Sequence, residues 1–238
     1  GFLVERNIGM GSDVIFNAIG SGTVDLYVEY SGTIWGSFMR REGNPGRAEI
    51  TEITQTFVRE RGLNPVGLAG FQNRYALAMR RERAEELGVV SVQDLAPLAS
   101  MLSAGGDLEF FGRSEWKRLQ SLYDLDFAQE LTFDAALMYT AVEAGQVDVI
   151  SAYSTDGRVA AYDLVLLEDP RQALLSYDAM LLASSAAAQD PRFTAALAPV
   201  LGAISDEAMR EANKMVDVEG RSVSEATAYL QAIINKPR

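Results

Sequence analysis

The pattern Ala18-x-x-x-Gly22-x-Val24-Asp25-x-x-x-x-Tyr30-Ser31 recurs, at a constant offset and without a gap, as Ala141-x-x-x-Gly145-x-Val147-Asp148-x-x-x-x-Tyr153-Ser154. In both copies a helix-like segment stops at a glycine, as the left-handed position past a helix end requires. A short apolar run then begins near an aspartate and closes on Tyr-Ser, which reads as a strand. The repeat predicts two similar units, each bringing one tyrosine to the carboxyl end of a strand. Ligands of open α/β sheets collect at that end. Two such units facing each other make a cleft.

The rest of the chain alternates in the same way, as an α/β protein does. Strands are expected at Leu3 to Ile8, Val24 to Tyr30, Arg74 to Met79, Leu108 to Phe111, Val147 to Ala152, Leu164 to Leu167 and Ala179 to Ala183. Helices are expected at Val14 to Ile19, Glu49 to Arg61, Glu82 to Leu87 and Phe133 to Ala144, with another short one capped by Ser91 or Asp94. The tail from Arg192 reads as helix to the end, interrupted near Gly220. With 238 residues, 48% of them apolar, a sizeable core is available to one large domain or two small lobes.

Composition removes several kinds of chemistry. The chain has no cysteine and no histidine, so thiol nucleophiles, Ser-His-Asp triads and imidazole-ligated zinc are excluded. A net charge of −12 disfavours nucleic acid and anionic membranes. The basic cluster Arg80-Arg81-Glu82-Arg83 is followed at once by acids and reads as a solvated helix face. No apolar run is long enough to span a membrane. The start, Gly1-Phe2-Leu3-Val4-Glu5-Arg6, shows no secretory leader, so any signal is expected to be gone already.

What remains for an enzyme is carboxylates, lysines, serines or a metal. Asp25 and Asp148 open their strands, away from a ligand, and suit capping or turn roles. Asp156 suits a cap or a pair with Arg158 better than a base. No closely spaced pair of acids suggests hydrolysis, and Gly9-x-Gly11 alone makes no phosphate loop. No catalytic residue, metal or cofactor is expected. The tyrosines are more informative. Tyr30, Tyr75, Tyr153 and Tyr177 each stand at a strand end or entry. Boxed together, their negative ring faces attract a cation that offers no hydrogen bond, such as trimethylammonium. For an accompanying carboxylate, Ser31-Gly32-Thr33 can open a helix and supply N–H groups and a hydroxyl. Arg113 can pair with that carboxylate or form a structural ion pair.

The run Gly22-Thr23-Val24-Asp25-Leu26-Tyr27-Val28-Glu29-Tyr30-Ser31-Gly32-Thr33 resembles the G-x-(I/V)-D-x-Y-x-E-Y-(T/S)-G-T signature of osmoprotectant-binding proteins. These serve glycine betaine/choline/carnitine ABC importers. Asn73 to Met79, Ala152 to Arg158, Leu164 to Asp169 and Met209-x-x-x-Asn213-x-x-Val216-Asp217 are similar to that family in order and spacing, over nearly the whole chain. The resemblance implies a type II periplasmic-binding-protein fold with a two-segment hinge near Gly70 to Tyr75 and Tyr177 to Leu182. It implies lobe I at 1–72 plus 180–238 and lobe II at 73–179. Tyr30, Tyr75, Tyr153 and Tyr177 then fall on an aromatic cage, Thr33 and Arg113 on carboxylate contacts, and Asn73 where some members carry an acid. The implied partners are a small quaternary-ammonium ligand and a membrane permease, in the periplasm or outside the cytoplasm, with no membrane insertion of its own. Two departures stand out. The family's first strand and helix are missing before Gly1, and Arg113-Ser114-Glu115-Trp116 replaces a common Arg-x-Asp-Gly. The first is expected to reflect processing or truncation; the second suggests a divergent branch, with ligand class better defined than ligand identity. Rival readings are a binding protein for another solute such as a histidine betaine, a sensory or permease-fused domain of the same fold, and an enzyme.

Overall fold

A computed structural model describes residues 2–7 and 9–236. The first helix, α1 (Ser12–Gly20), ends through Gly22 at φ 76° and leads into β1 (Leu26–Tyr30). The second copy of the repeat folds alike: α6 (Ala135–Glu143) ends through Gly145 at φ 69° and leads into β6 (Val149–Tyr153). Both glycines hold backbone that other residues adopt only at a cost.

Two sheets organise the molecule. The smaller has the order β1-β8-β2, with β2 at Asn64–Gln72 and β8 at Asp178–Ala183, all neighbours antiparallel. The larger has the order β5-β4-β6-β3-β7, with β3 at Tyr75–Arg80, β4 at Ser103–Asp107, β5 at Gln129–Phe133 and β7 at Leu164–Leu166. Here β5, β4 and β6 run parallel, while β3 opposes both β6 and β7. Every residue of β8 is buried. Met180 and Leu182 join one core, with Ile19, Ile34 and Val58, while Ala179 and Leu181 join another, with Phe71 and Ile204. That split follows from the two-residue period of a strand covered on both faces, and it explains the unbroken apolar sequence.

The chain passes between the sheets twice, from β2 to β3 and from β7 to β8. The two crossings are hydrogen-bonded to each other: Gln72 registers with Asp178, and the Asn73 N–H donates to the Tyr177 carbonyl at 3.0 Å. Beside them Arg47, at the start of α2 (Arg47–Glu60), grips the Asp178 carboxylate with both Nε (3.0 and 3.1 Å) and Nη2 (2.5 Å). Helix α10 (Asp206–Asp217) touches both sheets' structure. Ala208 packs on the smaller sheet's core, and the backbone at Lys214 lies against Gly157, the first residue of α7 (Gly157–Ala161), too closely for any side chain there.

Several expected elements differ. Residues 3–7 of the strand expected at Leu3 to Ile8 carry no regular structure, leaving Leu3 and Val4 exposed; Ile8 lies outside the described residues. The strand expected at Leu108 to Phe111 lies earlier, at β4. Asp107 ends it by accepting the N–H groups of Glu109 and Phe110 on Oδ1 (2.9 and 3.0 Å), which turns the chain into a 3-10 turn at Phe110–Gly112. Phe133 closes β5 rather than opening a helix. The tail breaks at 201–205 as well as near Gly220, because the Gly202 and Ile204 N–H groups bond to β2 at Leu68 and Ala69.

Candidate functional site

Strand pairing sets the central geometry. Tyr75, opening β3, lies directly across from Tyr153, closing β6. Their rings stack at 4.8 Å between centroids, tilted by 33°, and their hydroxyls meet at 3.0 Å. Both hydroxyls address Asp107 Oδ2, from Tyr75 at 3.2 Å and from Tyr153 at 3.5 Å. Burial, more than any neighbour, raises the pKa of both phenols above the ordinary tyrosine value, so both stay protonated as donors.

Arg113 stands over this pair. Its guanidinium carbon is 5.4 Å from the centre of the Tyr75 ring, within cation–π range. As the residue before α5 (Ser114–Tyr123), it reaches back to Glu109 at 2.8 Å and has Glu115 3.7 Å from Nε. That Nε makes no hydrogen bond, and neither does Nε of Arg118 one turn along the helix. Both arginines line a cleft of about 610 Å³ whose opposite wall comes from Gly32, Gly36, Arg41 and Asn44. The cleft is therefore bounded by elements that belong to both sheets. An adjoining cavity of about 220 Å³, sharing Asn44 and Leu175, is lined by Gln72 and Ser176. Gln72 Oε1 and Ser176 Oγ complete the set of four buried side-chain polar atoms without a hydrogen-bond partner among the described residues. All four are on the walls of these two cavities. Buried polar atoms are nearly always satisfied, so such a concentration marks where a polar ligand has partners waiting.

Tyr177 also lines the cleft, its ring laid flat on Gly32. Burial first, then the nearby Glu115 charge, pushes its phenol up to about 12. Of the seven residues expected at the site, Arg113 and Tyr177 line this cleft, while Tyr75 and Tyr153 lie behind Arg113. The other three are engaged differently. Tyr30 ends β1 and packs on the core of Phe71 and Ile204, with no ring contact to the other tyrosines. Thr33 lies in the short helical turn beside the buried Glu29, and Asn73 Oδ1 accepts the Thr155 hydroxyl at 2.9 Å. Asp25, Asp148 and Asp156 do the structural work expected of them. Asp148 Oδ2 accepts the Ser103 N–H and hydroxyl, both at 2.9 Å, Asp25 meets the Ser184 hydroxyl at 3.4 Å, and Asp156 caps α7 and pairs with Arg158.

Asp107, Glu115 and Arg118 are the residues that sequence reasoning missed. Asp107 sits among glycines and Leu108, without a pattern to mark it. The spacing of Glu115 and Arg118, three apart in a helix-like run, was a usable signal, since residues three or four apart share a helix face.

Two sheets joined by two crossings are shared with a solved structure of related sequence. A crystal structure described as a glycine betaine/carnitine/choline ABC transporter superposes with a TM-score of 0.88 at 27% identity, covering 96% of this chain and 86% of that one. A glycine-betaine-binding protein of Pseudomonas aeruginosa is 31% identical over 241 residues, 96% of this chain and 78% of the relative. An ergothioneine transport permease/ergothioneine binding protein of Helicobacter pylori is 29% identical over 92% of this chain. The chain spans only 40% of the length of that relative. The family model described as the substrate-binding domain of the ABC-type glycine betaine transport system matches residues 1–231, and the chain belongs to that family.

Proposed function

We propose that this chain is the extracytoplasmic ligand-binding component of an ABC importer, and that it traps a small quaternary-ammonium zwitterion in the cleft between its two sheets. The observation that carries this reading is the arrangement around Arg113: stacked Tyr75 and Tyr153 on one side, and the Nε atoms of Arg113 and Arg118, which make no hydrogen bond, on the other. The ring faces suit a trimethylammonium head, which cannot hydrogen-bond. The two arginine nitrogens suit its carboxylate. Glycine betaine has both groups, as do bulkier betaines.

Lobe I would comprise residues 1–72 with 180–238, and lobe II residues 73–179. Closure would carry Tyr30 and Thr33 toward Tyr75, Tyr153 and Tyr177, completing the cage only when ligand contacts both halves. The membrane partner would be an ABC permease, on a separate chain or fused as in the name of the Helicobacter relative.

The test is calorimetric titration with glycine betaine, carnitine, choline and ergothioneine, on the wild type and on Tyr153→Ala. One lost cation–π contact lowers affinity by about 2- to 30-fold. Unchanged affinity in a folded Tyr153→Ala protein would remove that tyrosine from the cage. No binding of any of the four would remove the ligand class.

A further inference from the structure

Asp107 places a carboxyl group behind the stacked tyrosines. The residue is 9% exposed at the end of β4. Its Oδ1 takes two backbone N–H groups, and its Oδ2 faces the Tyr75 and Tyr153 hydroxyls. No arginine or lysine lies within ion-pair distance of it among the described residues. The charged groups on the other side of the tyrosines are Arg113, already committed to Glu109 at 2.8 Å, and Glu115. A buried carboxylate without an ion-pair partner is costly to desolvate. An asparagine of the same shape could still accept the backbone N–H groups and engage the phenols. The negative charge itself therefore calls for a use.

Its position supplies one. Two phenols that donate to a carboxylate have their ring electrons pushed outward, and the carboxylate adds its own field behind the rings. A cation settling on Tyr75 and Tyr153 meets both effects. We infer that Asp107 is a specificity-determining residue, which makes the tyrosine pair select its ligand's head group by positive charge and not merely by shape. The inference rests on the cage reading above and names what the cage discriminates.

Glycine betaine and 3,3-dimethylbutanoate separate charge from shape. They share the carboxylate and the three-methyl head, and differ in having nitrogen or carbon at its centre. Calorimetry on the wild type should show glycine betaine binding much more tightly. In Asp107→Asn, glycine betaine affinity should fall while 3,3-dimethylbutanoate affinity rises, because that anion no longer meets a buried negative charge. Together these close the gap between the two by about tenfold, as expected for one unit charge acting across a partly buried site. Equal losses for both compounds would mean a merely structural role and would overturn the inference, as would an unchanged ratio. A wild-type preference below threefold overturns it too, without any variant, should Asp107→Asn fail to fold. If the wild type binds neither compound, the cage reading falls and takes this inference with it. If it binds betaine and the ratio does not move, only the role of Asp107 falls.

Discussion

Gly32 lies under Tyr177 so closely that alanine there should damage the site directly. A β-carbon built on Gly32 comes within 2.5 Å of Tyr177 Cε1 and 2.6 Å of both Cδ1 and Cζ. That is roughly an ångström short of ordinary carbon–carbon contact. The ring, half-buried between the cleft and its neighbours, must tilt or retreat. Overpacking of this kind costs about 1–3 kcal/mol. Alanine in the helical turn Ser31–Thr33 returns about 0.5–1 kcal/mol through its lower chain entropy. The net loss should be about 0.5–2 kcal/mol, or a fall in Tm of about 1–8 °C for a chain of this size. If Tyr177 is a cage wall, affinity for the quaternary ammonium drops by about 2- to 30-fold as well. Differential scanning calorimetry and titration on Gly32→Ala, Tyr177→Ala and the double variant measure both effects. In the Tyr177→Ala background the Gly32→Ala change should become neutral or stabilising, since its obstacle is gone. A Gly32→Ala protein with the wild-type Tm and wild-type affinity would refute the packing argument.

Two further outcomes concern stability. Arg47→Ala strands the Asp178 carboxylate, whose side chain is 1% exposed, and should cost about 2–3 kcal/mol in urea unfolding. The figure is at the low end for a broken buried pair because the Arg47 side chain is itself 55% exposed. Asp178→Asn in the same chain should recover most of that loss, and additive losses would argue against the pair. Glu29 is 3% exposed on β1, and burial, outweighing the hydrogen bonds from the Tyr30 N–H and the Tyr27 hydroxyl, raises its pKa. The folded state therefore holds that proton more tightly than the unfolded chain. Its stabilising effect is complete below the unfolded value near about 4.3 and is lost as pH climbs through the raised folded value. Glu29→Gln should accordingly gain stability relative to wild type as pH rises from about 4 to 7, and a difference that does not vary with pH would count against it.

The repeated helix–glycine–strand units were legible because their signals are local. A left-handed glycine, a β-rich run and a terminal tyrosine all act within a dozen residues, and both copies fold as read. The expectation of an α/β fold with the periplasmic-binding-protein arrangement agrees with the two sheets and their likeness to known structures. What escaped were strands whose sequences look wrong for strands. β2 contains Pro65, Gly67 and Gly70, and it survives through bulged pairing with β8 and bonds from Gly202 and Ile204. β4 reads Ser-Ala-Gly-Gly-Asp, with no apolar alternation, because Phe133, Ile150 and Val147 crowd Gly105 and Phe111 crowds Gly106. The larger apolar residues after it drew the expectation to Leu108 to Phe111 instead. At the site, the tyrosines were visible by type and by strand position. Asp107 was not, since what singles it out is the meeting of β3, β4 and β6, which no local window contains.

The hydrogen bonds between the two chain crossings would restrict the lobe closure proposed above. Two separate threads would permit swivelling, sliding and splaying alike. Here Gln72 and Asn73 are knitted to Asp178 and Tyr177 as a narrow ribbon, and a ribbon flexes readily about only one line while resisting slippage along its length. Opening and shutting should therefore retrace a single arc, and each cycle should bring the same faces back into the same alignment.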